Sequence, residues 1–109
     1  IVLSGGENVS PAKVEGMLMA EPEISQAVVA GDGRSSLTAL VVPALGHDDV
    51  SVALAVSRVN LRLSVTERIR RHVIVAPFTV ENALLTPTHK IRRMLVIRAN
   101  AAALAKLHT

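Results

Sequence analysis

The chain has 109 residues, 50% of them hydrophobic, and a formal net charge of +3. This length provides one modest core and is too short for two ordinary domains. Phe78 is the only aromatic residue, which argues against nucleic-acid binding through stacked bases, and the absence of cysteine excludes disulfides and thiolate catalysis. The positive charge fits either an anion-binding surface or a solvated basic face.

The first half of the chain predicts a helix followed by a β-hairpin. Ser10 is suited to cap a helix that has Pro11 at its first position and runs to about Ala20. Residues 24–30 and 37–43 are apolar and β-branched, and the glycines of the intervening GDGRSS can take positive φ angles. These two runs predict adjacent antiparallel strands.

The second half predicts two helices, one strand and a final helix. Asp48 or Asp49 can cap a helix with a 3.6-residue apolar stripe, formed by Val52, Val56, Val59 and Leu63. Residues 66–71 predict a short helix, residues 72–76 a third strand ended by Pro77, and residues 76–89 a loop.

From Ile91 onward, a last helix is expected to bury one face and to leave its basic side chains nearer solvent. The buried face comprises Met94, Ile97, Ala101 and Leu104, and the basic residues are Arg92, Arg93 and Lys106. Together these elements predict an α+β fold in which a three-stranded, largely antiparallel sheet is flanked by helices.

Segments that would target or anchor the chain are not apparent. No apolar run approaches the roughly 20 residues that span a bilayer, so we expect no transmembrane segment. The opening IVLSGG has no initiator methionine and no signal-peptide pattern, which favours a piece of a longer chain. We expect a cytoplasmic protein and leave contact of the intact protein with a membrane surface open.

No self-contained catalytic set is present. The four histidines lie far apart without metal-ligand spacing, and the dinucleotide, P-loop and nucleophile-elbow patterns are missing. We therefore expect no metal site in this chain. What remains are two polar loops, SGGENVSP at residues 4–11 and ENALLTPTHK at residues 81–90, and loops of this kind often carry function.

These loops carry a resemblance. GGENVSPAKVE, ISQAVVAGDGRSSLTALVVP and PFTVENALLTPTHKIRR occur in the order and approximate spacing of the C-terminal domain of the adenylate-forming acyl-CoA synthetases. The sequence is most similar to the long-chain fatty acid type, and the resemblance covers nearly the whole chain. It implies that residues 1–109 form a small lid over an N-terminal domain of the same polypeptide, which is absent here.

The resemblance also implies a two-step reaction. Such enzymes make an acyl adenylate and pyrophosphate from a fatty acid and Mg-ATP, then rotate the small domain and let coenzyme A attack. ATP, Mg²⁺ and coenzyme A are thus the implied cofactors, held largely by or with the N-terminal domain, and no nucleic acid is involved. The isolated lid is expected to be inactive.

By the same resemblance, Lys90 is the catalytic lysine that contacts the acyl carboxylate and the α-phosphate region during adenylation. Thr86, Pro87 and Thr88 would shape its loop, although these three residues also suit an ordinary turn. A compact ammonium group aimed where negative charge grows stabilises such a transition state. His89 stands where many relatives have glycine, which favours the long-chain group; we expect its side chain in solvent.

The glycine-rich loop is implied to line the pantetheine path in the second step. Its residues are Gly5, Gly6, Glu7 and Asn8, and a flexible turn is the alternative interpretation. Arg92 and Arg93, and with less support Arg71, are implied to meet the nucleotide phosphates of coenzyme A, although surface arginines usually bind nothing so specific.

Three other functions stay open from the sequence. The chain could belong to a medium-chain or aryl acid ligase, to an enzyme that loads a carrier protein, or to a non-catalytic basic interaction module. A catalytic Lys90 should lie on an exposed loop without a buried carboxylate partner, whereas a structural lysine should be paired and partly buried.

Overall fold

A computed structural model describes residues 1–107 and shows an α+β domain, as predicted. The elements in chain order are α1 (Pro11–Met19), β1 (Ile24–Ala30), β2 (Leu37–Pro43), α2 (Asp49–Asn60), a 3-10 turn (Val65–Glu67), β3 (Ile69–Ile74), α3 (Arg93–Ala99) and α4 (Ala101–Leu107).

The sheet has three strands in the order β1-β2-β3. The predicted hairpin is confirmed, because β1 and β2 pair antiparallel with Val28 opposite Leu40. The third strand pairs parallel to β2, with Val73 opposite Leu40. A parallel neighbour needs a long crossover connection, and α2 lies within the one that joins β2 to β3. The sheet is therefore mixed.

Both faces of the sheet are covered. On one face, α1 and α2 pack their buried residues, such as Val14 and Val52, onto Val29 and Val41. On the other face, Val96 of α3 packs with Phe78, Val28 and Leu40. Successive strand residues point to opposite faces. Burial on both sides thus explains why β2 is apolar at nearly every position rather than at alternate ones.

The first two helices begin at the predicted caps. The Ser10 hydroxyl accepts a hydrogen bond from the Lys13 backbone N–H at 3.4 Å, and Pro11 occupies the first position of α1. In α2, Asp48 Oδ1 accepts from the Ser51 N–H at 3.0 Å. The predicted apolar stripe of α2 is buried, and its last member, Leu63, lies beyond the end of the helix.

The prediction of a helix over residues 66–71 was wrong. Only a single 3-10 turn forms, and β3 begins at Ile69, three residues earlier than expected. The Asn60 side chain accepts from the Ile69 N–H at 2.8 Å and donates to the Ile69 carbonyl at 2.9 Å. Ile69 also pairs with Leu37 and is buried, so tertiary contacts outweigh the local helical preference.

The predicted last helix is divided in two at Asn100. The Asn100 side-chain amide donates to the Val96 carbonyl at 2.8 Å, and a polar side chain that bonds nearby backbone in this way competes with continued helix. The predicted face was wrong in part, since Met94 is 60% exposed, Ala101 is also exposed, and Val96 is fully buried. Ile97 and Leu104 pack against the core as expected.

Candidate functional site

Residues 85–91 form a closed turn, here called the Lys90 hairpin. Leu85 and Ile91 form an antiparallel bridge at its base. Inside it, the Thr86 N–H donates to the Lys90 carbonyl at 2.8 Å, and the His89 N–H donates to the Thr86 carbonyl at 2.8 Å. The Lys90 N–H donates to the Thr86 hydroxyl at 3.0 Å. The predicted loop thus has a defined conformation, to which Thr86 contributes backbone and side-chain hydrogen bonds.

His89 adopts a left-handed backbone conformation, with φ at +66°. Residues with a Cβ atom adopt this conformation at a cost, whereas glycine takes it freely. The hairpin therefore favours glycine at this position for a backbone reason. The His89 side chain is exposed, as predicted.

The Lys90 side chain is exposed, and its ammonium group makes no ion pair or hydrogen bond within the described residues 1–107. A structural lysine would show the opposite pattern. The geometry agrees with the catalytic interpretation, while the catalytic role itself stays a prediction. In this domain the ammonium group is available to a ligand or to another domain.

The base of the Lys90 hairpin is attached to the sheet through apolar and polar contacts. Leu85 is buried in the cluster of Phe78 and Val96. The Gln26 side chain, on strand β1, accepts from the Phe78 N–H at 2.8 Å and donates to the Phe78 carbonyl at 3.0 Å. The hairpin consequently projects from a fixed base.

The two arginines after Lys90 behave differently. Arg92 is exposed, and its guanidinium donates to the Ala83 carbonyl at 3.4 Å. Arg93, predicted to lie nearer solvent, is half-buried, and the sequence did not predict its ion pair. Arg93 Nη2 lies 2.6 Å from Glu15 Oε1, and Arg93 Nε lies 2.9 Å from Glu15 Oε2. The hydrogen bonds to the Glu15 carboxylate raise the pKa of the Arg93 guanidinium above its ordinary value.

Glu15 is a residue that the sequence analysis missed. It is 6% exposed and shares the buried face of α1 with Val14 and Leu18. A carboxylate on a core-facing side of a helix requires a partner, since an unpaired buried charge is costly. Its position beside Val14 was the available signal, and nothing local identified Arg93 as its partner.

The glycine-rich loop forms a second tight turn. Val2 and Asn8 make an antiparallel bridge, and the Leu3 N–H donates to the Glu7 carbonyl at 2.9 Å. Gly6 has φ at +89°, so this position requires a residue that tolerates left-handed backbone. A Cβ on Gly5 would lie 2.6 Å from the Glu7 carboxylate, which is flexible enough to move. All four predicted residues of this loop are exposed.

This loop is fixed to the β1–β2 turn. The Ser4 N–H donates to the Arg34 carbonyl at 2.8 Å, and the Val2 N–H donates to Asp32 Oδ1 at 2.9 Å. A groove of about 500 Å³ runs between this region and α3, and its lining includes Val2, Arg34 and Arg93. Among the predicted site residues in the described part of the chain, Arg93 alone lines this groove.

Other predicted features lie apart from this groove. Arg71 is exposed on β3, a strand at one edge of the sheet.

Within residues 1–107, no cluster of three or more His, Cys, Asp or Glu side chains could hold a metal ion. None of the helices in that range is long and apolar enough to cross a membrane.

Comparison with known proteins places this geometry in a family. Residues 1–108 match the family described as the AMP-binding enzyme C-terminal domain. A chloroplastic long-chain-fatty-acid acyl-carrier-protein ligase of Arabidopsis thaliana is 35% identical over an alignment of 109 residues. This alignment covers 89% of this chain and 15% of that protein. A long-chain-fatty-acid CoA ligase of Mycobacterium tuberculosis is 36% identical over an alignment of 121 residues, gaps included. This alignment covers 88% of this chain and 20% of that protein.

A solved structure supports the same assignment. The A domain of a carboxylic acid reductase from Segniliparus rugosus, in complex with AMP and a co-purified carboxylic acid, superimposes with a TM-score of 0.87 at 28% identity. The match covers 99% of this chain and 19% of that one. This chain therefore corresponds to a small part of each relative, and it belongs to the AMP-binding enzyme C-terminal domain family, the C-terminal domain of adenylate-forming enzymes.

Proposed function

We propose that this chain is the C-terminal lid of a long-chain fatty acid CoA ligase. In the intact polypeptide, an N-terminal domain binds ATP, Mg²⁺ and the fatty acid, and the lid supplies Lys90 to the first half-reaction. The observation that supports this proposal most directly is the exposed, unpaired Lys90 on a closed hairpin, in a chain that is 36% identical to a long-chain-fatty-acid CoA ligase over 88% of its length.

Lys90 acts on charge that develops during adenylation. A carboxylate oxygen attacks the α-phosphorus of ATP, a bond to phosphorus forms, and pyrophosphate leaves with its bonding electrons. Two anions approach one another in this step, so an ammonium group placed between them lowers the barrier. Pre-organisation matters, because a fixed dipole or charge costs no reorganisation during the reaction. The hydrogen bonds of the Lys90 hairpin fix the backbone from which the Lys90 side chain extends.

The remaining site residues are assigned to the second half-reaction. We place Gly5, Gly6, Glu7 and Asn8 along the pantetheine arm of coenzyme A, where exposed backbone can approach a thin ligand closely. Pro87 and Thr88 keep the Lys90 hairpin in shape, and Arg92 with Arg71 faces the nucleotide phosphates. Arg93, which the resemblance also implied for this role, is left out of the set because its guanidinium is paired with Glu15. The cytoplasmic location expected from the sequence stays a prediction.

The test is the Lys90→Ala variant of the full-length protein. We expect formation of acyl adenylate from fatty acid and Mg-ATP to fall by roughly 10²-fold or more. Thioester formation from supplied acyl adenylate and coenzyme A should stay near the unmodified level. Arg98→Ala is the matched control, since Arg98 is an exposed cation on α3 outside the predicted site. Equal, small effects of Lys90→Ala on both steps would refute the assignment.

One specific observation favours an acyl-carrier protein, in place of coenzyme A, as the acceptor of the acyl group. A relative at 35% identity is a ligase for acyl-carrier protein rather than for coenzyme A. The same assay decides between them when free coenzyme A and a phosphopantetheinylated carrier protein are compared as acceptors of the supplied acyl adenylate. Transfer to the carrier protein alone would replace coenzyme A in the proposal and leave the adenylation step unchanged.

A further inference from the structure

One buried carboxylate joins three elements close to the Lys90 hairpin. Glu15, on α1, accepts a hydrogen bond from the backbone N–H of Val29 in β1 at 2.8 Å. Its two oxygens also accept from Arg93, the first residue of α3, at 2.6 and 2.9 Å. A guanidinium and a carboxylate in this arrangement fix direction as well as distance, because both parallel hydrogen bonds must form together.

The chain between Lys90 and Arg93 leaves little freedom. Ile91 is bridged to Leu85, and the Arg92 N–H donates to the Leu84 carbonyl at 2.9 Å. Arg93 follows at once and opens α3, which buries Val96 one turn later. The position of Arg93 therefore determines where the second limb of the Lys90 hairpin leaves the body of the domain.

The Glu15–Arg93 contact resists small displacements. Glu15 is almost fully buried, so separating it from Arg93 would leave a charge without compensation in the core. Arginine stays charged in proteins across the whole physiological pH range, so the contact does not open by loss of the arginine proton. The hairpin and the domain body are consequently coupled.

We propose that Glu15 is a positioning residue for the adenylation half-reaction: through Arg93 it holds the Lys90 hairpin in the direction needed to reach the substrate carboxylate and phosphate. This inference rests on the proposed function of Lys90.

The test uses Glu15→Gln and Arg93→Lys in the full-length protein. Glutamine keeps an acceptor for the Val29 N–H and removes the charge, whereas lysine keeps the charge and removes the two parallel hydrogen bonds. We expect acyl-adenylate formation to fall roughly 10-fold or more, since a displacement of about 1 Å can cost 10²-fold. Thioester formation from supplied acyl adenylate, including the KM for coenzyme A, should stay near the unmodified level, because Lys90 is not assigned to that step.

Hydrogen exchange gives a second readout that does not depend on activity. The N–H groups of Thr86, His89 and Lys90 are all bonded inside the hairpin, so a peptide covering residues 84–92 should exchange faster in both variants. The control is Arg58→Lys, which weakens a surface pair with Glu21 at 2.8 Å on another part of the domain. This control should alter neither the exchange of residues 84–92 nor the ratio of the two half-reactions.

Three results would overturn the inference. Equal losses in both half-reactions would make Glu15 a general stabilising residue, and unchanged exchange over residues 84–92 would break the link to the hairpin. A raised KM for coenzyme A in Arg93→Lys, with adenylation intact, would assign Arg93 to coenzyme A instead. If Glu15→Gln fails to fold, Arg93→Lys carries the same test. A failure of the Lys90 assignment would be recognised separately, because Lys90→Ala would then leave acyl-adenylate formation intact.

Discussion

The side chain of Thr86 closes the Lys90 hairpin, and its removal provides a sharp test of the geometry of the site. The hydroxyl accepts from the Lys90 N–H at 3.0 Å and lies 3.2 Å from the Thr88 hydroxyl. Thr86→Val keeps the shape of the side chain and removes the acceptor. The Lys90 N–H then has only solvent as a partner at this position.

The expected magnitude follows from the loss of one solvent-exposed hydrogen bond. A typical intramolecular hydrogen bond contributes about 0.5–1.5 kcal/mol net. Loss of that amount raises the open population of the hairpin by roughly 2- to 12-fold, since about 1.4 kcal/mol corresponds to a factor of ten. Global stability should change little, because the hairpin can open locally while the core below it stays packed.

The assay is hydrogen exchange of the peptide covering residues 84–92, with the β1–β2 hairpin as an internal reference. Thr86→Ser retains the hydroxyl and should exchange like the unmodified protein. Thr88→Val removes the longer contact alone and should have the smaller effect. Equal exchange for Thr86→Val and Thr86→Ser would show that the hydroxyl does not hold the hairpin and would refute the reasoning.

Three further predictions concern stability. Val96→Ala removes two fully buried carbon atoms and should lower the free energy of unfolding by about 2–3 kcal/mol. Urea titrations measure this change, and a loss under about 1 kcal/mol would argue against the packing of Val96 in the core. His89→Gly relieves the left-handed backbone and should raise that free energy by roughly 0.5–1 kcal/mol in thermal unfolding; a decrease would count against the assigned conformation. The hydrogen bond from Lys13 lowers the pKa of Glu67 from 4.5 to about 2, so between these values the unfolded state binds more protons. The unmodified protein should therefore be more stable than Glu67→Gln, with the full difference in the free energy of unfolding above pH 4.5 and a smaller one as the pH falls toward 2. Acid titrations of both proteins measure this difference, and a difference that stays constant with pH would contradict the prediction.

Local sequence chemistry was sufficient to predict α1, the start of α2 and the β1–β2 hairpin. Ser10 with Pro11, and Asp48, mark helix starts through groups only a few residues apart. The glycines of the β1–β2 turn, with apolar runs on either side, predict the hairpin in the same way. The two polar loops were also visible as sequence, because their composition excludes them from the core and their motifs resemble one family.

What the sequence did not determine depends on partners that are far apart in the chain. Ile69 extends as a strand because Asn60 and Leu37 bond and pair with it, against a local pattern that favours helix. Arg93 has the spacing of a solvent-facing helical residue, yet its partner Glu15 lies 78 residues earlier. A buried charge selects its counterpart by position in the folded protein rather than by spacing, so only the tertiary structure could connect α1 to the Lys90 hairpin.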